Sequence, residues 1–230
     1  MHIVPTLLYA AEIWGYKEYE HIERVHLFAC NRFLHVCNKT PNDIVYGELG
    51  RYPLCIPATI RLVKFWLKLL GQTDNLYSKK SYKMLSEMHN WSITTWVSHV
   101  KSILCYYGFE QVWLFGCGNE KIFFNELKEK LYGSFCHGWR NHLESSETLS
   151  FYKQTKKYKN SFERETYVDF VWMDVYWNTF AQFRMGVSQI NDHRHRFSSL
   201  LYWRNRNGNT FSASVSNVHP VKAQVFDGPC

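Results

Sequence analysis

A ten-residue stretch, VYGELGRYPL at residues 45–54, constrains the fold of this chain more than any other. Gly47 and Gly50 are free to take positive φ, Pro53 fixes its own φ and offers no backbone N–H, and Tyr52 before it is pushed toward extended geometry. Apolar residues at helical spacing lie on both sides. The stretch reads as a corner between helices.

Ahead of the corner, Ile22, Val25, Ala29, Phe33 and Val36 recur every three or four residues, which predicts a helix over 18–36 that buries this face. Cys30 and Cys37 fall beside it, where small thiols pack well. Thr40 before Pro41 reads as an N-cap followed by proline in the first turn. Beyond the corner, on a wheel of about 100° per residue, Ile60, Leu62, Val63, Trp66, Leu67, Leu69 and Leu70 coat most of a helix over 57–71. Arg61, Lys64 and Lys68 interrupt that coat along one narrow stripe. A buried helix with one exposed basic ridge is expected.

Residues 73–90 are polar, with Lys79, Lys80 and Lys83 close together, and read as a linker or surface helix. Further helices are expected over 93–107, 111–115 and 119–131. Asn119 caps the last of these and Glu120 complements its dipole. Phe123, Phe124, Leu127 and Leu131 form its apolar side, and Gly133 and Gly138 weaken its continuation. A charged connection with Lys153, Lys156, Lys157 and Lys159 leads to an apolar run over 165–186 that reads as the last buried helix. After Phe197 the periodicity ends, which predicts a poorly ordered tail. The fold expected is all-α: two irregular helical bundles, 1–72 and 91–197, joined by a polar linker over 73–90 and followed by an irregular tail over 198–230.

A chain of 230 residues that is 46% hydrophobic and 17% aromatic can build real cores. Its 27 Lys and Arg against 20 Asp and Glu, a net +7, favour polyanionic partners modestly. The seven cysteines form no Cys-x-x-Cys pair and no signal peptide is evident, which points to reduced thiols and an intracellular setting. No run of about eighteen uncharged apolar residues suggests a membrane span. Neither a Gly-rich phosphate loop nor a His-Glu-x-x-His motif is present.

The corner VYGELGRYPL resembles a segment that follows the polymerase core in non-LTR retrotransposon reverse transcriptases of invertebrates. PTLLY at 5–9 with EIWG at 12–15, the helix over 22–37, and residues 60–70 with Phe65 and Trp66 agree in order and spacing. QFRMGVS at 182–188 and DHRHR at 192–196 are similar, more loosely, to that family's downstream region. The resemblance implies that the chain corresponds to the helical thumb and what lies beyond it, with the catalytic palm ahead of Met1. That palm would pack on the N-terminal segment.

The family polymerises with paired aspartates that hold two magnesium ions. All six aspartates here are isolated, so no catalytic residue, metal or cofactor is assigned and the chain alone is expected to be inactive. A zinc knuckle, common in related elements, would need converging thiolates and imidazoles. Cys117, Cys136, His137 and His142 lack knuckle spacing and read as scattered core or surface groups.

Candidates for nucleic-acid contact are therefore basic. By resemblance to a thumb, the ridge of Arg61, Lys64 and Lys68 would meet the phosphate backbone, as would Arg51 in the corner; each also reads as ordinary solvated surface, and Arg51 as a partner of Glu48. Arg184, His193, Arg194 and Arg196 complete the set, since guanidinium forks suit phosphate oxygens, with a solvated turn as the plain alternative. Tryptophans in apolar runs read as core, while Tyr202 and Trp203 beside Arg204 could stack on bases. The function expected is a non-catalytic fragment of a reverse transcriptase with weak, sequence-independent affinity for RNA or DNA. The alternatives are an adopted helical interaction protein, or a gene remnant without function.

Overall fold

The computed structural model describes residues 3–146, 152, 162–169 and 181–182, and no strand occurs among them. The helices are α1 (Ile3–Leu7), α2 (Ala11–Trp14), α3 (Glu20–Leu34), α4 (Asn42–Leu49), α5 (Cys55–Leu70), α6 (Tyr77–Asn90), α7 (Trp96–Tyr106), α8 (Glu110–Phe115) and α9 (Glu120–Ser145). A 3-10 turn follows at Thr166–Asp169. The all-α expectation holds. Most of the apolar run over 165–186 lies outside the described residues, and the tail does so entirely.

The corner turns later than the sequence suggests. α4 runs through Gly47, and the reversal falls at Gly50, whose φ of 56° and ψ of 34° close the helix in the left-handed region. The Tyr46 carbonyl accepts from the Gly50 N–H and also from the Arg51 N–H at 3.1 Å, which closes the end of α4. Gly47 is small for a different reason. A Cβ there would lie 2.6 Å from Trp139 Cζ2 and 2.7 Å from Tyr152 Oη, so α4 approaches α9 across a bare backbone. Nor does Thr40 act as a cap: the Pro41 carbonyl accepts from Ile44 N–H and Val45 N–H, and the Thr40 hydroxyl is buried with no hydrogen-bond partner among the described residues.

A polar clasp holds the corner from α3. The Glu23 carboxylate accepts from Tyr46 Oη at 2.6 Å on Oε1 and from Leu54 N–H at 2.7 Å on Oε2. Its Oε1 also pairs with His26 Nδ1 at 2.8 Å. One side chain thus ties together α3, α4 and the residue that opens α5.

This clasp explains why α3 buries a different face from the one its apolar periodicity suggests. His26, Cys30, Asn31 and Leu34 are buried, whereas Val25 and Phe33 are 44% and 42% exposed. The helix is turned by about one residue step. Its inner side carries the groups that bond to the corner, and its outer apolar groups gain cationic neighbours: Arg32 lies 5.3 Å from the Phe28 ring and Arg164 lies 5.7 Å from the Phe33 ring.

α9 is the spine. Asn119 Oδ1 caps it, accepting from Lys121 N–H at 3.0 Å and Ile122 N–H at 3.2 Å. Its first half places Phe123, Leu127 and Leu131 in a core with Leu62, Val63 and Trp66 of α5 and Val100 and Leu104 of α7. Its second half places Trp139 and Leu143 in a core with Cys30 and Leu34 of α3 and Ile44, Val45 and Leu49 of α4. A smaller core joins Leu8 and Ala11 to Leu54 and Ala58. Among the described residues α5 shares a core with α7 and α9, and Met1–Ser188 forms one compact unit. The stretch over 73–90 contributes α6, a surface helix with no buried residue that lies against α5 and α7.

Gly133 and Gly138 do not end α9, since each costs about 1 kcal/mol of helix propensity and the burial of Trp139 and Leu143 beyond them outweighs that. Nothing lies within 4 Å of a Cβ built on either glycine. Gly133→Ala and Gly138→Ala are accordingly expected to stabilise the protein by about 0.5–1 kcal/mol each, read as a raised melting temperature in circular dichroism.

Candidate nucleic-acid interface

The ridge on α5 exists. Ile56, Ala58, Leu62, Val63, Trp66, Leu67 and Leu69 are buried, while Arg61, Lys64 and Lys68 stand exposed. Spacings of three and four residues keep these cations on one side of the helix. They are not equivalent. Arg61 Nη1 donates to the Leu8 carbonyl at 2.8 Å, which commits part of its fork to anchoring the N-terminal segment. Lys64 and Lys68 enter no ion pair or hydrogen bond among the described residues. Both remain available to an outside anion.

Neighbouring lysines are spent within the protein. Lys79 Nζ donates to the Leu69 carbonyl at 2.9 Å and the Leu70 carbonyl at 2.8 Å, closing the end of α5 where the helix dipole favours a cation. Lys83 pairs with Asp74 at 2.8 Å, and this neighbour holds the Asp74 carboxyl below its ordinary value. Lys80 lies 5.7 Å from the Tyr77 ring. The polar stretch that follows α5 therefore adds little free charge to the ridge.

Arg51 is exposed and makes no ion pair with the buried Glu48, so the structural partnership open to it in the sequence is not formed. Arg184, His193, Arg194 and Arg196 lie outside the described residues, as do Tyr202 and Trp203. The Cys and His set does not assemble: His142 Nδ1 pairs with Asp43 at 2.7 Å, Cys136 Sγ lies 4.0 Å from Tyr52 Oη, and no group of three metal-ligating side chains occurs among the described residues. Of the tryptophans, Trp66 and Trp139 are core, but Trp91 is 73% exposed.

Three coupled ionisable groups at the corner were not evident from the sequence. Burial raises the Glu23 carboxyl, but the hydrogen bonds from His26, Tyr46 and Leu54 outweigh it and hold the group below its ordinary 4.5. For His26, burial lowers the value; hydrogen bonds to Cys30 and Glu23 reverse this and push it up to about 9. Burial, with the Glu23 charge behind it, raises the Tyr46 phenol. The signal was present in the spacing of Glu23 and His26, three residues apart on one helix, and was masked by the apolar face beside it.

No helix among the described residues is long and apolar enough to cross a membrane. No family model matches the chain, and neither a curated protein nor a solved structure is significantly similar to it.

Proposed function

We propose that this chain is a non-catalytic helical part of a retrotransposon reverse transcriptase that holds RNA or DNA weakly, without regard to sequence, through phosphate contacts along α5. The observation that carries this reading is the pair Lys64 and Lys68, exposed and without a partner among the described residues, on the outer side of a helix whose inner side is core. Tyr9 and Ile13, 82% and 54% exposed, belong to the N-terminal segment on which a polymerase palm would pack under this reading. The same reading sets the protein inside the cell, where such an element copies itself.

Binding of this kind rests on counterion release. With roughly two phosphate contacts, affinity for a labelled duplex should fall about tenfold between ~50 and ~200 mM salt. Lys64→Glu with Lys68→Glu is expected to abolish retention at low salt while leaving the melting temperature unchanged. Arg61 stays intact in that variant, because its loss would also release Leu8. Equal binding by the wild type and the double variant, measured by fluorescence anisotropy, would refute the proposal.

A helical interaction protein is the second reading. It is favoured by Leu114 and Phe115 on α8, 68% and 81% exposed, with Tyr106 on α7 exposed as well. That reading predicts no salt-dependent affinity for nucleic acid.

A further inference from the structure

Between the start of α3 and the corner lies a cleft of about 330 Å³, within the ~300–1,000 Å³ range of small-molecule sites. Two pairs of perpendicular rings line it. Trp14 and Tyr19 meet edge to face at 5.4 Å and 88°, and Tyr46 and Phe135 do so at 5.9 Å and 89°. Glu23 lines the same cleft, its carboxylate fixed by the clasp and still 23% exposed. Among the described residues Oε2 accepts only the Leu54 N–H, which leaves acceptor capacity on that oxygen. Of the other charged groups lining the cleft, Glu18 and Glu20 are acidic and Lys17 is the opposing cation; His26, paired with Glu23, does not line it.

Ring faces carry negative potential, and a carboxylate among them adds to it. An anion would be repelled, and a purely apolar guest would strip water from the remaining acceptor capacity of Oε2 and put nothing in its place. We propose that this cleft binds an alkylated ammonium group of the trimethylammonium kind, with cation–π contacts from Trp14 and Tyr19 and charge compensation from Glu23. This site goes beyond the nucleic-acid reading and does not depend on it.

The test compares choline with 3,3-dimethylbutan-1-ol, its uncharged isostere, by isothermal titration of the full chain at fixed ionic strength. Choline should bind about tenfold or more tightly than the alcohol, given cation–π contributions near ~1–2 kcal/mol in a partly desolvated site. Tyr19→Ala, a change at a partly exposed ring, should remove most of that preference without altering the melting temperature. Phe115→Ala, on α8, should leave it intact. A short peptide bearing one trimethyllysine distinguishes the source: binding by both it and choline assigns the site to the head group alone, and binding by the peptide only assigns it to a modified chain. Equal affinity for choline and the alcohol with no binding of the peptide, or a preference untouched by Tyr19→Ala, would overturn the proposal.

Discussion

Replacing Gly50 with alanine is expected to destabilise the protein by about 2–4 kcal/mol, lowering the melting temperature by roughly 5–15 °C. Two costs add. The residue sits at φ 56°, where a side chain strains the backbone by ~1–2 kcal/mol. A Cβ there would also collide with the main chain of the 162–168 segment, meeting Arg164 N and lying 2.6 Å from the Glu163 carbonyl carbon. That segment cannot swing aside freely, because Glu165 N–H donates to the Glu48 carbonyl at 3.0 Å. Gly108→Ala separates the terms: its φ is also positive, 72°, but the nearest atom to its Cβ is the end of a side chain, Lys130 Nζ at 3.4 Å, with no main chain in the way. Thermal melts should show a much smaller loss for Gly108→Ala, about 1 kcal/mol.

The clasp predicts an uncommon pH profile. His26 is 1% exposed and its value is raised from 6.5 to about 9, so its contribution is complete below pH 6.5 and disappears as the pH rises through about 9. Glu23 works in the opposite sense: its value is depressed, so its contribution is present above pH 4.5 and is lost as the pH falls below it. Stability should therefore peak between pH 4.5 and 6.5, with a decline on the order of 3 kcal/mol toward pH 9. Urea melts of wild type and His26→Gln isolate this term from the other histidines. The variant should be less stable at pH 6 and should lose the decline toward pH 9; a parallel decline in both would mean that His26 is neutral in the folded protein. Glu23→Ala removes all three bonds at once and leaves the imidazole buried without its counter-charge, a loss of about 3 kcal/mol at pH 6.

Elements whose own residues decide their fate were legible in the sequence. α5 was one, because an apolar coat broken by a single cationic stripe admits only one orientation against a core. The Asn119 cap was another, since capping is settled within three residues. What escaped depended on partners distant in the chain. α9 continues past Gly133 and Gly138 because Trp139 reaches α4, where its Nε1 donates to the Asp43 carbonyl at 2.8 Å. α3 shows the inverse failure: the apolar periodicity was real, but three hydrogen bonds to Glu23 turned a polar face inward. The ridge was visible as a stripe, yet the division of labour along it was not. Arg61 bonds to a carbonyl 53 positions away, and no local pattern records that contact.

Solvent labelling of lysines tests the central claim most directly. With an amine-reactive reagent at low salt, mass spectrometry of the free protein should show Lys64 and Lys68 reacting readily, while Lys79 and Lys130 react slowly because their ammonium groups are held by carbonyls. Adding an unlabelled duplex should protect Lys64 and Lys68 together, and raising the salt should restore their reactivity. If both lysines label at the same rate with and without nucleic acid, α5 is not the surface that holds it.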